Sequence, residues 1–331
     1  MANIALIGAG SIAKFHASAI ESLSTAKLVG VFDINRQAAE SIAKIKKGVK
    51  VYSSIDELSK DKNVEVVDIC LPTTLHHDNV INAANAGKHV FCEKPIARTL
   101  KQAEEMVAAC KKNGIKFMVG HVLRFFPEYK RAKDLISAGK LGKVGMARLS
   151  RLNTFPLTSS SWYTDIENSG GVVLDMSIHD FDFLHWCFGM PERVYAQGLT
   201  YRINKNTPLD YALVSIRFKN GTIAHVEGSW AETSGFSAKF EIAGEKGILD
   251  FDMKKNQPFL LSLRGDSTGN AGVNVPESPL KLSPYAMEIK HFIECIDNDK
   301  EPMITGDEAI LSLKIALAAL ESIKSGEVVK F

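Results

Sequence analysis

Over the first 120 positions, short runs of Val, Ile, Leu and Ala alternate with longer stretches in which apolar residues recur every three or four places. The short runs are Ile4–Ile7, Leu28–Phe32, Val66–Leu71, Val90–Cys92 and Phe117–Val119, with a weaker one at Lys50–Tyr52. Runs this brief, apolar on both faces and rich in Val and Ile are what strands buried in a parallel sheet require. Between them Ser11–Ser22, Arg36–Lys44, His76–Ala86 and Thr99–Asn113 have helical periodicity, and Ser54-Ile55-Asp56-Glu57 has the spacing of a capping box. Gly87 and Gly114 stand just past two helix ends, where a left-handed cap residue is needed. Strand and helix alternating at this pace predict an α/β Rossmann fold, a doubly wound parallel sheet.

After Gly120 the period changes. Pro127–Ala138 reads as a helix stopped by Gly139, and then strand-like runs follow in series: Val144–Leu149, Val194–Leu199, Tyr211–Phe218, Thr222–Trp230, Lys239–Ala243 and Gly247–Asp252. Asn220-Gly221 carries a strong hairpin signal, and Glu245-Lys246-Gly247 suggests a second tight turn. Strands joined by short turns predict a C-terminal α+β domain with a large, mostly antiparallel open sheet. The expected division is residues 1–121 and 122–331. Gly265–Pro279, rich in Gly, Ser, Asn and Pro, reads as a mobile loop. Two helical stretches, Pro284–Asn298 and Asp307–Ser325, close the chain, the last placed to pack back on the first domain.

Composition narrows the partners. The 331 residues are 45% hydrophobic and 24% charged, ordinary for a globular chain long enough for two cores. A net charge of +2 offers no field for nucleic acid. Five cysteines without a C-x-x-C pair imply neither a disulfide framework nor a zinc ribbon. No apolar run reaches the length of a membrane span or a signal-peptide core. A soluble, reduced, cytoplasmic protein is expected, with no nucleic-acid or membrane partner.

Gly8-Ala9-Gly10-Ser11-Ile12-Ala13 follows the first strand and opens the first helix, fitting G-x-G-x-x-G/A. Gly8 allows a tight turn, Gly10 lets the backbone approach a pyrophosphate, and Ala13 permits close helix–strand packing. Ser11 and Ile12 begin the helix whose unpaired N–H groups face the phosphates. Asp33 lies 23 positions past Gly10 at the end of the second strand, close to the spacing of about 20 for a ribose-binding carboxylate. That carboxylate would repel a 2′-phosphate, so NAD is preferred over NADP, although Arg36 nearby tempers the preference.

Two further stretches carry chemistry. Cys92-Glu93-Lys94-Pro95 lies at the carboxyl end of the predicted fifth strand, where open α/β sheets bind ligands, so Lys94 is placed to enter a site. In Gly170–Trp186, read as one helix from about Val173, Asp175, His179 and Asp182 fall at i, i+4 and i+7 on a mostly apolar segment. Such polar groups could ligate a divalent metal, form a general-base site, or make a hydrogen-bonded core pair. His76 and His77, adjacent in sequence, diverge by about a hundred degrees on a helix and do not suit one metal.

Taken together, these motifs resemble the Gfo/Idh/MocA family of NAD(P)-dependent oxidoreductases, the glucose–fructose oxidoreductase and inositol dehydrogenase group. The resemblance covers essentially the whole chain. It rests on Gly8–Ala13 with His16, Leu71-Pro72-Thr73-Thr74-Leu75-His76, Ala86–Pro95, Gly120–Phe125 and Gly170–Trp186. It implies a catalytic trio of Lys94, Asp175 and His179, and a nicotinamide-side lining of Pro72, Thr73, Thr74, His76, Glu93 and Lys94. It makes Arg124, Asn153 and Trp162 substrate-pocket candidates beside the trio. Thr73 departs from the pattern, since many members carry asparagine there. The implied reaction is oxidation of a secondary hydroxyl of a cyclic polyol, sugar or sugar derivative, with no metal. His179 would take the proton, Lys94 would stabilise the alkoxide, and hydride would pass to nicotinamide. The resemblance also admits a redox-inert dinucleotide-binding regulator or an NAD-retaining glycosidase. It further implies a homodimer or homotetramer formed through the open sheet.

Overall fold

The computed structural model describes residues 1–156, 161–201, 209–233, 235–255, 259–263 and 282–331; the expected loop Gly265–Pro279 lies outside them. The chain forms two compact units, one of Met1–Phe125 with Leu280–Ile310, the other of Phe126–Pro279 with Leu311–Phe331.

In the first unit six strands, β1 (Ala2–Ile7), β2 (Ala26–Phe32), β3 (Lys50–Val51), β4 (Val66–Ile69), β5 (His89–Glu93) and β6 (Phe117–Gly120), form one sheet in the order β3-β2-β1-β4-β5-β6. Every pairing is parallel. The apolar runs become strands because both faces are covered: Leu6, Ile7, Val31, Val67, Ile69, Val90 and Val119 have no exposed surface. Helices α1 (Ser11–Glu21), α2 (Arg36–Ala43), α3 (Ile55–Lys60), α4 (His76–Asn85) and α5 (Leu100–Lys112) connect them. Strand order reverses between β1 and β4, and in such sheets ligands bind beyond the strand ends at that switch point.

This unit is finished by a distant part of the chain, which the sequence-based division at residue 121 assigns to the other domain. Helix Pro284–Asp297 buries Ala286, Ile289, Phe292 and Ile293, and the Phe292 ring meets the edge of Phe91 from β5 at 5.9 Å. Past it, Thr305 bridges Met118 antiparallel and the Val119 amide donates to the Ile304 carbonyl, which satisfies an edge that β6 would otherwise leave open.

In the second unit eight strands, β7 (Val144–Leu152), β8 (Pro191–Leu199), β9 (Tyr211–Phe218), β10 (Ile223–Ser229), β11 (Ser237–Gly244), β12 (Gly247–Asp252), β13 (Phe259–Leu263) and β14 (Val329–Lys330), form a second sheet. Its order is β13-β12-β11-β7-β10-β9-β8-β14, antiparallel except for the parallel pair β7–β10. The hairpin between β9 and β10 turns at Asn220-Gly221, with Gly221 at φ 95°. β9 alternates as a one-sided strand must, with Ala212, Val214, Ile216 and Phe218 buried. Among the described residues no helix is long and apolar enough to cross a membrane.

The buried face of this sheet also carries charge. Arg151 on β7 is 3% exposed and pairs bidentately with Asp180 at 2.9 and 2.7 Å, while donating to the Tyr129 hydroxyl at 3.1 Å. Burial pushes the Tyr129 phenol up to about 12. A pair this dry depends on both partners, since removing one leaves an uncompensated ion. Asp180→Ala is therefore expected to cost about 3–5 kcal/mol of stability, measured by denaturant unfolding, and Arg151→Met with Asp180→Leu to recover most of it.

Candidate active site

The turn between β1 and α1 is built on one close approach. Gly8 has φ +103°, and a Cβ there would stand 2.3 Å from the Cys70 carbonyl oxygen at the end of β4, so only glycine fits. Gly10 caps α1 with no side-chain hydrogen bond, and a Cβ on it would meet nothing within 4 Å. The start of α1 therefore looks onto open space through exposed Ser11 and half-buried Ile12, while Ala13 is fully buried behind them. The Asp33 carboxylate, just past β2, accepts the Ala9 and Asn35 amides, each at 2.7 Å, which fixes it against the glycine turn. Arg36 is exposed and paired with Glu40 at 3.0 Å. Ile34, which the sequence gives no reason to single out, projects from the same rim at 96% exposure. An open cradle at a helix N-terminus, flanked by a fixed carboxylate, fits the pyrophosphate and ribose of a dinucleotide.

The next two strand ends are tied together. After β4 the chain passes through half-buried Pro72, buried Thr73 and exposed Thr74 into α4. His76 is fully buried, its ring nitrogens 2.9 Å from the Pro95 carbonyl and 2.8 Å from the Leu71 carbonyl, so it straps the two loops. β5 ends at Glu93, followed by half-buried Lys94 and a cis Lys94–Pro95 bond. Arg124 is 2% exposed and reaches the Met303 carbonyl at 3.4 Å and Glu308 at 3.3 Å, both in the returning segment.

Behind Lys94 lies a cluster of buried ionisable groups. His16 on α1 places Nδ1 2.9 Å from Asp68 of β4 and Nε2 3.0 Å from Glu93 of β5. Cys70 Sγ stands 3.5 Å from the same ring, and Glu288 of the returning helix, fully buried, has no hydrogen-bond partner among the described residues for either carboxyl oxygen. Burial works to lower His16, yet the Asp68 carboxylate and its hydrogen bond outweigh it and hold the ring well above its ordinary value. Burial pushes the Glu288 carboxyl well above its usual range, and the neighbouring Glu93 charge adds to this. Glu93 itself is brought below its ordinary value, because the His16 hydrogen bond and charge, with Lys94, overcome burial. Sequence reasoning passed over Asp68 and Glu288, though each left a signal. One is a carboxylate inside the apolar strand Val66–Ile69, and the other shares a helix face with Phe292 and Cys295.

In the second unit the expected continuous helix from Val173 is broken. Helix Gly171–Asp175 stops, and Ile178–Phe188 begins after Met176-Ser177. The Ser177 amide reaches back five residues to the Val172 carbonyl, and a Cβ on Gly228 of β10 would lie 2.3 Å from Ser177 Oγ, so packing on the sheet sets the break. Asp175, His179 and Asp182 thus do not form one helical line: Asp175 ends one helix, while half-buried His179 and fully buried Asp182 ride on the next. Asn153, half-buried after β7, bonds by its backbone to Ser229 and Glu232, and its side chain accepts the Thr154 amide at 2.9 Å. Trp162 is half-buried, its ring 4.0 Å from that of Tyr163.

Both units have recognisable relatives. Residues 2–121 match the oxidoreductase family, NAD-binding Rossmann fold, of GFO/IDH/MocA proteins, and residues 129–250 match the GFO/IDH/MocA C-terminal domain. The chain belongs to the GFO/IDH/MocA family. Among GFO/IDH/MocA members, the myo-inositol 2-dehydrogenase of Thermotoga maritima is 30% identical over 99% of this chain and 98% of its own length. The scyllo-inositol 2-dehydrogenase (NAD(+)) of Bacillus subtilis is 31% identical over 97% of this chain and 94% of its own. The crystal structure of a probable dehydrogenase from Thermotoga maritima superposes with a TM-score of 0.84 at 30% identity, covering 99% of this chain and 98% of that one. The protein is accordingly an NAD-binding oxidoreductase of the GFO/IDH/MocA family.

Two outcomes follow from the site's geometry. Gly10→Ala is expected to fold with an unchanged melting temperature, because its Cβ meets no protein atom within 4 Å, yet to bind NAD at least about tenfold more weakly by titration, because a dinucleotide fitted to this cradle would put its pyrophosphate in that space. Glu288 and His16 both keep their protons to higher pH folded than unfolded. Their contribution is therefore full below the ordinary values of 4.5 and 6.5 and is lost as pH rises through the folded ones. Glu288→Gln, which cannot ionise, should flatten the alkaline decline of unfolding free energy measured across a pH series.

Proposed function

We propose that this chain is an NAD-dependent dehydrogenase that oxidises a secondary hydroxyl of a cyclic polyol, sugar or sugar derivative, in the manner of the inositol dehydrogenases. What carries the reading is that relatives named for inositol oxidation match nearly the whole chain at 30 and 31% identity, not its Rossmann half alone. Fold by itself would not support a substrate class.

In this reading Gly8, Gly10, Ser11 and Ile12 hold the dinucleotide pyrophosphate and Asp33 its ribose, with Arg36 at the rim. Pro72, Thr73, Thr74, His76 and Glu93 shape the loops on the nicotinamide side. NAD bound there supplies the hydride acceptor. Lys94 holds the reacting oxygen with its ammonium group and stabilises charge as the hydroxyl loses its proton. His179 takes that proton at a ring nitrogen, and Asp175 orients the substrate beside it. Asn153, Trp162 and Arg124 are the further substrate-facing candidates, with Arg124 also bracing the first unit. The second unit's sheet exposes Leu213, Ile223 and Ile248 at 40–43% on its outer side, which supports a homodimer or homotetramer formed there.

The test is a panel of inositols, hexoses, and amino and acid sugars, with NAD and NADP, followed by the absorbance of reduced nicotinamide. Turnover of a cyclic polyol or sugar is expected, with NAD preferred. His179→Ala should lower kcat about 10²–10⁴-fold, the range typical of losing a proton-transfer group, and Lys94→Ala about 10²–10³-fold, as for a lost group that stabilises developing charge, with NAD binding retained in both. Unchanged turnover in both variants would overturn the residue assignment.

A further inference from the structure

The imidazole of His16 is fully buried between two carboxylates supplied by adjacent strand ends, Asp68 at 2.9 Å from Nδ1 and Glu93 at 3.0 Å from Nε2. A neutral ring has one N–H and one lone pair, so it could satisfy one carboxylate while turning a lone pair on the other. Only the doubly protonated ring donates to both. The second oxygen of Glu93 accepts the Lys94 backbone amide at 3.1 Å, so the carboxylate joins His16 to the first atom of the residue that carries the ammonium. Space around Glu93 is also closed: a Cβ on Gly120 of β6 would lie 3.1 Å from Oε1. Among the described residues, the titratable groups facing the ring are Asp68 and Cys70 from the end of β4, Glu93 from β5, and Tyr285 and Glu288 from the returning helix.

We infer that His16, as a cation bridging Asp68 and Glu93, is a positioning residue for Lys94, setting the loop that presents its ammonium through the Glu93 carboxylate. This rests on the proposal that Lys94 is catalytic. Asp68 anchors the far side of the ring, so that α1, which begins at the dinucleotide turn, is locked to the loop after β5. Occupancy of the cradle at one end of α1 and the aim of Lys94 are thereby tied to one rigid bridge. The same imidazole and the carboxylates of Glu93 and Glu288 lie within 4.8 Å of one another, a spacing that a divalent cation could also use. Full engagement of both ring nitrogens by Asp68 and Glu93 favours the proton-bearing arrangement over the metal.

The experiment compares His16→Gln, Glu93→Gln, the double variant and Lys94→Ala in the full-length enzyme with NAD and the best substrate of the panel. His16→Gln should lower kcat tenfold or more while leaving the KM for NAD within about threefold. The double variant should be no slower than Glu93→Gln alone, because the two residues act through one contact. Equal losses in kcat and NAD affinity, or additive losses in the double variant, would show a merely structural histidine and overturn the inference. Loss of turnover in Lys94→Ala with normal kcat in His16→Gln sinks this inference alone, whereas normal turnover in Lys94→Ala sinks the catalytic reading it rests on. Should His16→Gln not fold, the wild-type enzyme still decides the matter. Two slowly exchanging ring N–H protons of His16 at neutral pH are expected in the downfield proton spectrum. A single one, or one bound divalent ion per chain by elemental analysis, overturns it.

Discussion

Carboxylates taken out of water must meet a cation or give up their charge, and the first unit is organised around that constraint. Asp68 and Glu93 sit at neighbouring strand ends with 1 and 7% of their surface exposed, and His16 is the group that reaches both. Glu288, brought in from the far end of the chain, has no such partner, and burial keeps its carboxyl above the usual range. Two carboxylates one bridge apart, and a third without a hydrogen-bond partner among the described residues, sit beside the point where the strand order reverses, the place that doubly wound folds reserve for ligands.

The constraint explains why the site's parts are so firmly held before any ligand arrives. Asp33 is fixed by two backbone amides and Glu93 by an imidazole and an amide, while the His76 ring is wedged between two carbonyls. The orientation of each of these side chains is set by the chain itself. Preorganisation of this kind lowers the cost of binding and keeps charged groups aimed where charge develops during reaction.

The parallel sheet was legible because its strands are apolar on both faces, and the glycine turn because Gly8 and Gly10 stand between a strand and a helix. β13 and β14 were not: Phe259–Leu263 is a five-residue run, and Val329–Lys330 is a strand only because β8 is there to pair with it. The break at Met176-Ser177 was equally hidden, since no Pro or Gly marks it and its cause is the approach of Gly228 on another strand. Local period reports what a segment prefers, and these features depend on partners remote in sequence. For the site, Asp33 and Lys94 could be read from position along the fold. The His16 bridge could not, because its contacts span 52 and 77 residues.

The return of Leu280–Ile310 to the first unit bears on how the molecule is made. A nascent chain that has emerged from the ribosome as far as Phe125 has its six parallel strands but lacks Phe292 to cover Phe91 and Thr305 to seal β6. All the strands of the second sheet except the terminal β14 are synthesised before those pieces appear. Completion of the dinucleotide-binding half therefore waits until synthesis has passed Ile310, and an amino-terminal fragment ending at Phe125 would present raw apolar surface and an unsealed strand edge to any aggregating neighbour.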